Sequence, residues 1–302
     1  MVSDYTVTLD EVTLGVRESG TPGGSPVLHF HGTPGSRLEM AWADEAVARA
    51  GVHLVTFDRP GYGRSTQLQF SLSSVAHLGI DLVDRLGWHR FATLGWSGGG
   101  PFALATAAAA AGRVSASGVI SGAGPFQEIP GALARLSGGD AEGAALSASD
   151  PDAAAAAFAG TFADLAAVSD EAQLLAAFGP ALSERDQRVL ASPPIAEALL
   201  RDIQEAFRQG SLGGGWDNVS WVGAWDFTLD AVQCPVLLWY GNEDLMAPPS
   251  FGSWLAAHLP NARLTLRRGY GHLAAIEHLP EMLDELTAPN GTRERAPLTS
   301  SP

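Results

Sequence analysis

Apolar positions fall in three patterns along this chain: alternating pairs near the start, short continuous runs, and stretches with helical spacing. Tyr5 to Leu9 and Leu14 to Arg17 alternate or run apolar and predict an antiparallel hairpin. Pro26 to Phe30 is a short strand of the buried type. Further strand-length runs at 52–57, 91–95 and 117–121 alternate with helical stretches at 38–50, 73–86 and 98–111. The same alternation returns as a strand at 235–240, a helix at 249–258, a strand at 263–267 and a helix at 274–287. Such a pattern predicts an α/β fold, with a mostly parallel, twisted sheet covered by helices on both faces.

Between Ser121 and Pro235 the alternation stops, with no convincing strand. Connections in α/β units usually take ~2–6 residues, so this stretch is an inserted structure and its pieces read as helices. Ser169 caps one, with Asp170-Glu171 as its first turn and Gly179-Pro180 at its end. Ile195, Leu199, Ile203 and Phe207 form one apolar stripe of another, which Gly210 stops. The glycine-rich run Gly210 to Gly215 reads as a flexible return to the sheet. The organisation expected is a core of residues 1–124 and 216–287, an all-helical insert at 125–215, and a polar, proline-bearing tail at 288–302 that is disordered. No internal repeat occurs.

Composition narrows the classes. Of the 302 residues, 46% are hydrophobic and 17% charged, which marks a globular chain. Lys and Arg number 18 against 33 Asp and Glu, a net charge of −15 that opposes binding to nucleic acid or an anionic membrane. The single cysteine, Cys234, rules out an intrachain disulfide and a cysteine-rich metal site. It precedes the apolar run 235–240 and reads as a small buried hydrophobe rather than a reactive thiol. No basic region followed by an apolar core opens the chain, and no run reaches the ~18 apolar residues of a membrane span. A cytoplasmic monomer or homodimer acting on a small molecule is the expectation.

The chemistry is concentrated at strand ends. Gly95-Trp96-Ser97-Gly98-Gly99 follows the strand ending at Leu94 and opens a helix, which is G-x-S-x-G in its strand–turn–helix context. A serine at the tip of that turn is strained and exposed, and the flanking glycines let strand and helix pass closely. The competing reading, a glycine-rich cradle for phosphate, draws on the loose match of Gly98-x-Gly100-x-x-Ala103 to a dinucleotide fingerprint. That fingerprint needs an acidic residue about 20 residues on, and the next strand, Gly118-Val119-Ile120-Ser121, carries none. Trp96 is a candidate for lining the substrate pocket, with simple packing as the alternative.

The turn His31-Gly32-Thr33-Pro34-Gly35 follows the strand 26–30. There a backbone N–H of Thr33, with that of Gly98, would hold a developing oxyanion. Taken alone, the turn also fits an ordinary structural role. A serine nucleophile needs an imidazole base, and that base an orienting carboxylate. Eight histidines compete. His31 belongs to the turn, His29 and His53 lie in or beside strands, and His77, His89, His258 and His278 fall on helices or their ends. His272 follows the last strand in Gly269-Tyr270-Gly271-His272, where glycines leave its ring free to reach inward. Asp244 follows the strand ending at Tyr240, with Glu243 as its neighbouring rival and Pro248 starting the next helix. The chain order Ser97, Asp244, His272 is the one this type of fold uses.

Together these motifs resemble the α/β-hydrolase superfamily over about 1–124 and 216–287, with the helical insert in the position of that family's cap. Phe57-Asp58-Arg59-Pro60-Gly61-Tyr62-Gly63-Arg64-Ser65 is similar to the family's D-x-x-G-x-G-x-S loop, which is structural there. The resemblance implies a serine hydrolase with no cofactor and no metal. Its H-G-x-P-G turn is similar to those of epoxide hydrolases and proline iminopeptidases. The former carry aspartate where this chain has Ser97, and the latter typically read G-G-S-W-G at the elbow. Ester, thioester or lactone hydrolysis is therefore expected of a largely apolar substrate, with amide or carbon–carbon cleavage as the alternative. From other classes come a small-ligand receptor or regulatory protein, and a non-catalytic protein-binding surface, on the same fold.

Overall fold

The computed structural model describes residues 1–288. The tail expected to be disordered lies, from residue 289 on, outside them. Eight strands form one sheet: β1 (Val2–Leu9), β2 (Val12–Gly20), β3 (Ser25–Phe30), β4 (Val52–Phe57), β5 (Phe91–Trp96), β6 (Val114–Ile120), β7 (Val236–Gly241) and β8 (Ala262–Arg267). Their spatial order is β1-β2-β4-β3-β5-β6-β7-β8. The hairpin β1–β2 is antiparallel, and β2 joins β4 antiparallel as well; every later pairing is parallel.

Burial follows position in the sheet. Every residue of β5 and β7 is buried, whereas the edge strand β1 alternates exposed and half-buried positions. Helices α1 (Asp44–Arg49), α2 (Leu72–Arg85) and α3 (Gly99–Ala109) follow the early strands, and α11 (Pro249–His258) and α12 (Ala274–Thr287) the late ones. The period of two along the strands sorts the core into two layers. Leu28, Phe30, Val55 and Phe57 pack with Val75 of α2, Phe102 of α3 and Phe251 of α11. Their neighbours Val27, Leu54 and Leu94 point the other way, to Val47 of α1 and Leu279 of α12. Ser71 starts α2 with a capping box closed by Ser74.

Seven α-helices stand between β6 and β7: α4 (Gly138–Leu146), α5 (Pro151–Thr161), α6 (Ala163–Ala166), α7 (Glu171–Phe178), α8 (Glu184–Leu190), α9 (Pro193–Ala206) and α10 (Leu212–Val222). No helix among the described residues is long and apolar enough to cross a membrane.

Four local expectations are corrected. The helix expected over 38–50 is a single 3-10 turn, Ala41–Ala43, followed by the short α1. The preceding backbone is committed elsewhere, because Ser36 N donates to Asp202 and Arg37 N to Asp58. The N-cap of α7 is Asp170, whose Oδ1 accepts from Gln173 N, while Ser169 bonds the Gln173 side chain. Pro248 is the N-cap of α11 and Pro249 its first residue.

The fourth concerns Gly213, Gly214 and Gly215, which are no flexible return. They are buried in the first turns of α10, which runs across the expected boundary at residue 215. A Cβ on Gly213 would stand 2.8 Å from the Gly61 carbonyl carbon, and one on Gly215 would collide with the Ala155 carbonyl. Close approach selects glycine here, against its helix propensity of about 1 kcal/mol.

Candidate active site

Ser97 sits between β5 and α3 at φ +52°, a left-handed conformation that costs a non-glycine residue energy. Its backbone is held by the neighbouring strand: Ser97 N donates to Ile120 O at 2.8 Å, and its carbonyl accepts from Gly100 N and Ala123 N. The glycines around it have steric causes. A Cβ at Gly95 would collide with the Gly99 carbonyl, and one at Gly99 with that of Phe30. One at Gly98 would collide with Oγ1 of Thr33, so the two expected oxyanion donors lie against each other. Neither the Thr33 nor the Gly98 N–H has a protein acceptor among the described residues.

Asp244 is 4% exposed in the turn after β7. Its Oδ1 accepts from Met246 N at 2.9 Å and Ala247 N at 2.8 Å. Its Oδ2 stands 2.9 Å from Nδ1 of His272, which assigns the proton to Nδ1 and leaves Nε2 free to accept. Burial works to raise the Asp244 pKa, but the adjacent imidazole and the Ala247 N–H prevail and hold it below the ordinary carboxylate value. Burial likewise works to lower the His272 pKa, but the charge and hydrogen bond of Asp244, with help from Asp186 and Glu39, hold it above 6.5. Glu243 is exposed.

Ser97 and His272 line one cavity, although no hydrogen bond joins them. Catalytic contacts of this kind commonly tighten only when substrate binds. Gly32, Thr33 and Pro34 form part of the wall, as does Trp96. Trp96 is buried, and its indole N–H donates to the His272 carbonyl at 3.3 Å. It thus lines the cavity and also packs. The insert contributes Phe178, Leu182, Leu190, Leu199, Asp202 and Ile203.

Five of the remaining histidines, His29, His31, His53, His77 and His258, have hydrogen-bond partners of their own. His29 meets Glu39 at 2.6 Å and His53 meets Glu18 at 2.6 Å. His77 and His258 bond carbonyls one turn back. His31 is buried, its Nδ1 bonding the Gly32 carbonyl and its Nε2 accepting from Arg59 N. Burial and the nearby Arg59 push its pKa well below 6.5. Cys234 is half-buried, and burial pushes its thiol up to about 11. Among the described residues no cluster of side chains is arranged to hold a metal ion.

Sequence reading missed the second layer around the site. Glu39 accepts from Gly32 N at 2.7 Å. Arg59, fully buried, donates through Nε to Asp217 at 2.7 Å and through a terminal nitrogen to the Gly32 carbonyl at 3.0 Å. Asp217 also receives Tyr62 Oη at 2.7 Å. Asp186 accepts from the backbone of the His272 loop. Asp202, which accepts from Ser36 N and Ser36 Oγ, carries a signal in the sequence: it adjoins Ile203 in the apolar stripe of α9, where an unpaired acid is out of place.

Residues 25–279 match the family model described as alpha/beta hydrolase fold. No curated protein matches the chain. Among solved structures it is similar to a hydrolase from Pseudomonas aeruginosa PA01, at 18% identity over 95% of this chain and 98% of that one, with a TM-score of 0.69. An enol-lactonase from Burkholderia xenovorans LB400 is similar at 18% identity over 93% and 97%, with a TM-score of 0.65. A thermophilic esterase from Thermogutta terrifontis is similar at 21% identity over 94% and 96%, with a TM-score of 0.63. At such identities the likeness speaks for the fold alone.

Proposed function

The chain belongs to the alpha/beta-hydrolase family, and from that premise we propose that it is a serine hydrolase cleaving an ester, thioester or lactone of a largely apolar small molecule. One observation carries the reading. Ser97, held at a positive φ, faces the same cavity as His272, whose Nδ1 is engaged by a buried carboxylate and whose Nε2 is free.

The chemistry runs in two halves. Ser97 Oγ attacks the substrate carbonyl carbon and passes its proton to His272 Nε2. The negative charge that develops on the carbonyl oxygen is met by the N–H groups of Thr33 and Gly98, each worth ~2.7–4 kcal/mol at the transition state. As the tetrahedral species collapses, the bond to the leaving oxygen or sulfur breaks, and that atom takes the proton from the imidazolium. Water then attacks the acyl-enzyme with His272 again as base, releasing the acid and restoring Ser97. Asp244 keeps the imidazole in the required tautomer and stabilises its charged form.

The insert acts as a cap over this site. Its Phe178, Leu182, Leu190, Leu199 and Ile203 supply an apolar wall, which favours an apolar acyl or alcohol part.

A hydrolysis screen of esters, lactones and amino-acid amides, run on wild type and Ser97→Ala, tests the reading. Activity on an ester or lactone that disappears in the variant, with circular dichroism unchanged and fluorophosphonate labelling lost, is expected. Activity retained in Ser97→Ala would overturn it.

A further inference from the structure

Asp186 lies on α8 of the insert, 86 residues from His272 in the chain, and is 2% exposed. Its two oxygens accept from consecutive backbone N–H groups: Oδ2 from His272 at 2.8 Å and Oδ1 from Leu273 at 3.1 Å. Those N–H groups lead into α12, whose N-cap residue, Leu273, offers no capping side chain. A carboxylate is the natural partner for such donors at a helix start. Asp186 also accounts for the residue before the histidine, since a Cβ on Gly271 would collide with its carboxylate.

A second contact from the same helix grips the same loop. Arg185 makes a two-pronged bond to Glu277 of α12, at 2.8 and 2.9 Å. Its guanidinium lies 3.8 Å from the centre of the Tyr270 ring. From the core side, Trp96 holds the His272 carbonyl and Asp244 holds Nδ1. The histidine is therefore fixed at backbone N–H, backbone carbonyl and ring, and only the first of these holds comes from the insert.

We propose that Asp186 is a positioning residue for His272: its carboxylate sets the loop backbone so that the imidazole spans Asp244 and Ser97, and it makes catalysis depend on how the insert is seated. This rests on the assignment of His272 as the base in the proposed function. Three carboxyls influence the imidazole, Asp244 from the β7 turn, Asp186 from α8 and Glu39 beside the Gly32 turn, and all three favour its charged form.

Asp186→Asn is the direct test, because its amide keeps the shape and one acceptor but sets an N–H donor against one of the two backbone donors. A misplacement of about 1 Å at a reacting group costs on the order of 10²-fold. We expect kcat per fluorophosphonate-titrated site to fall by about 10- to 100-fold with KM within about twofold. The acid limb of kcat/KM should move to lower pH. The ¹⁵N resonances of the His272 ring, assigned with His272→Gln and titrated without substrate, should report the same downward shift. Arg185→Ala loosens the same helix from the exposed side and serves should Asp186→Asn fail to fold; a several-fold loss in kcat at constant KM is expected of it.

An unchanged kcat per titrated site together with an unmoved ring titration, in whichever variant folds, overturns the proposal and leaves Asp186 a plain structural tether. Failure of the base assignment looks different. In that case the ring titration still shifts in Asp186→Asn, but His272→Gln keeps its hydrolytic activity.

Discussion

The hydroxyl of Thr33 donates a 2.7 Å hydrogen bond to Oδ2 of Asp217, so the turn proposed to hold the oxyanion is fastened to α10, the last α-helix before β7. Asp217 is fully buried and shares its carboxylate among Thr33, Tyr62 and the Arg59 guanidinium. Arg59 in turn holds the His31 and Gly32 carbonyls. Helix α10, which leads from the insert back to the sheet, is thus keyed by charge to the loops at the point where the chemistry is proposed to happen.

Asp217→Ala removes the ion-pair partner of Arg59 in this buried cluster. Breaking a buried pair from one side costs about 3–5 kcal/mol, because the remaining charge stays desolvated. Urea unfolding should register a loss of that size. A loss below about 1 kcal/mol, the range of exposed pairs, would show that Arg59 finds water when Asp217 is gone.

The pH profile follows from His272. Its pKa is held above 6.5, so below that pH the ring is protonated and does not take the Ser97 proton. Plots of kcat/KM against pH should rise through a midpoint above 6.5. In Asp244→Asn the main upward influence is gone and burial drives the ring pKa down, so the midpoint moves to lower pH. The plateau should drop by roughly 10⁴, the scale of losing the orienting carboxylate. A midpoint that stays in place would mean that the limb belongs to another group.

Gly98→Ala tests the oxyanion geometry without removing a polar group. The added Cβ would collide with Thr33 Oγ1 and stand 2.8 Å from Thr33 Cβ, so the turn must yield. Since a single lost donor costs about 10²–10³ in kcat, a fall of that order is expected, with KM much less affected. Steady-state kinetics on the best ester from the screen decide it, and wild-type kcat would remove these two residues from the oxyanion role.

These groups differ in how they are written in the sequence. Ser97, Asp244, His272 and Thr33 each follow a strand and stand among glycine or proline, so local pattern finds them. Asp186, Asp202 and Asp217 work through partners far away in the chain: His272, Ser36 and Thr33. Helical spacing marks which face of an insert helix is buried but not what it meets. Gly213 to Gly215 misled for a related reason. Their propensity argues against helix, and the backbone they press against, Gly61 and Ala155, is far off in sequence.

Charge in the cavity should select the substrate. Among the described lining residues the only ionisable side chains besides His272 are two carboxyls, Glu39 and Asp202. Burial, with Glu39 beside it, pushes the Asp202 pKa well above the ordinary carboxylate range, so this wall already resists a second negative charge. A carboxylate on the substrate would meet the same resistance. A like charge at roughly 6 Å and an effective dielectric of about 20 costs ~3 kcal/mol, a factor of about 10² in kcat/KM. A neutral ester should therefore outpace its carboxylate-bearing analogue of equal length by that factor. Because both wall carboxyls are buried, raising the salt to about 1 M should leave most of the gap, whereas repulsion at the surface would be screened within about 3 Å. Equal rates for the two esters would mean that the substrate's charged end reaches solvent and never meets this wall.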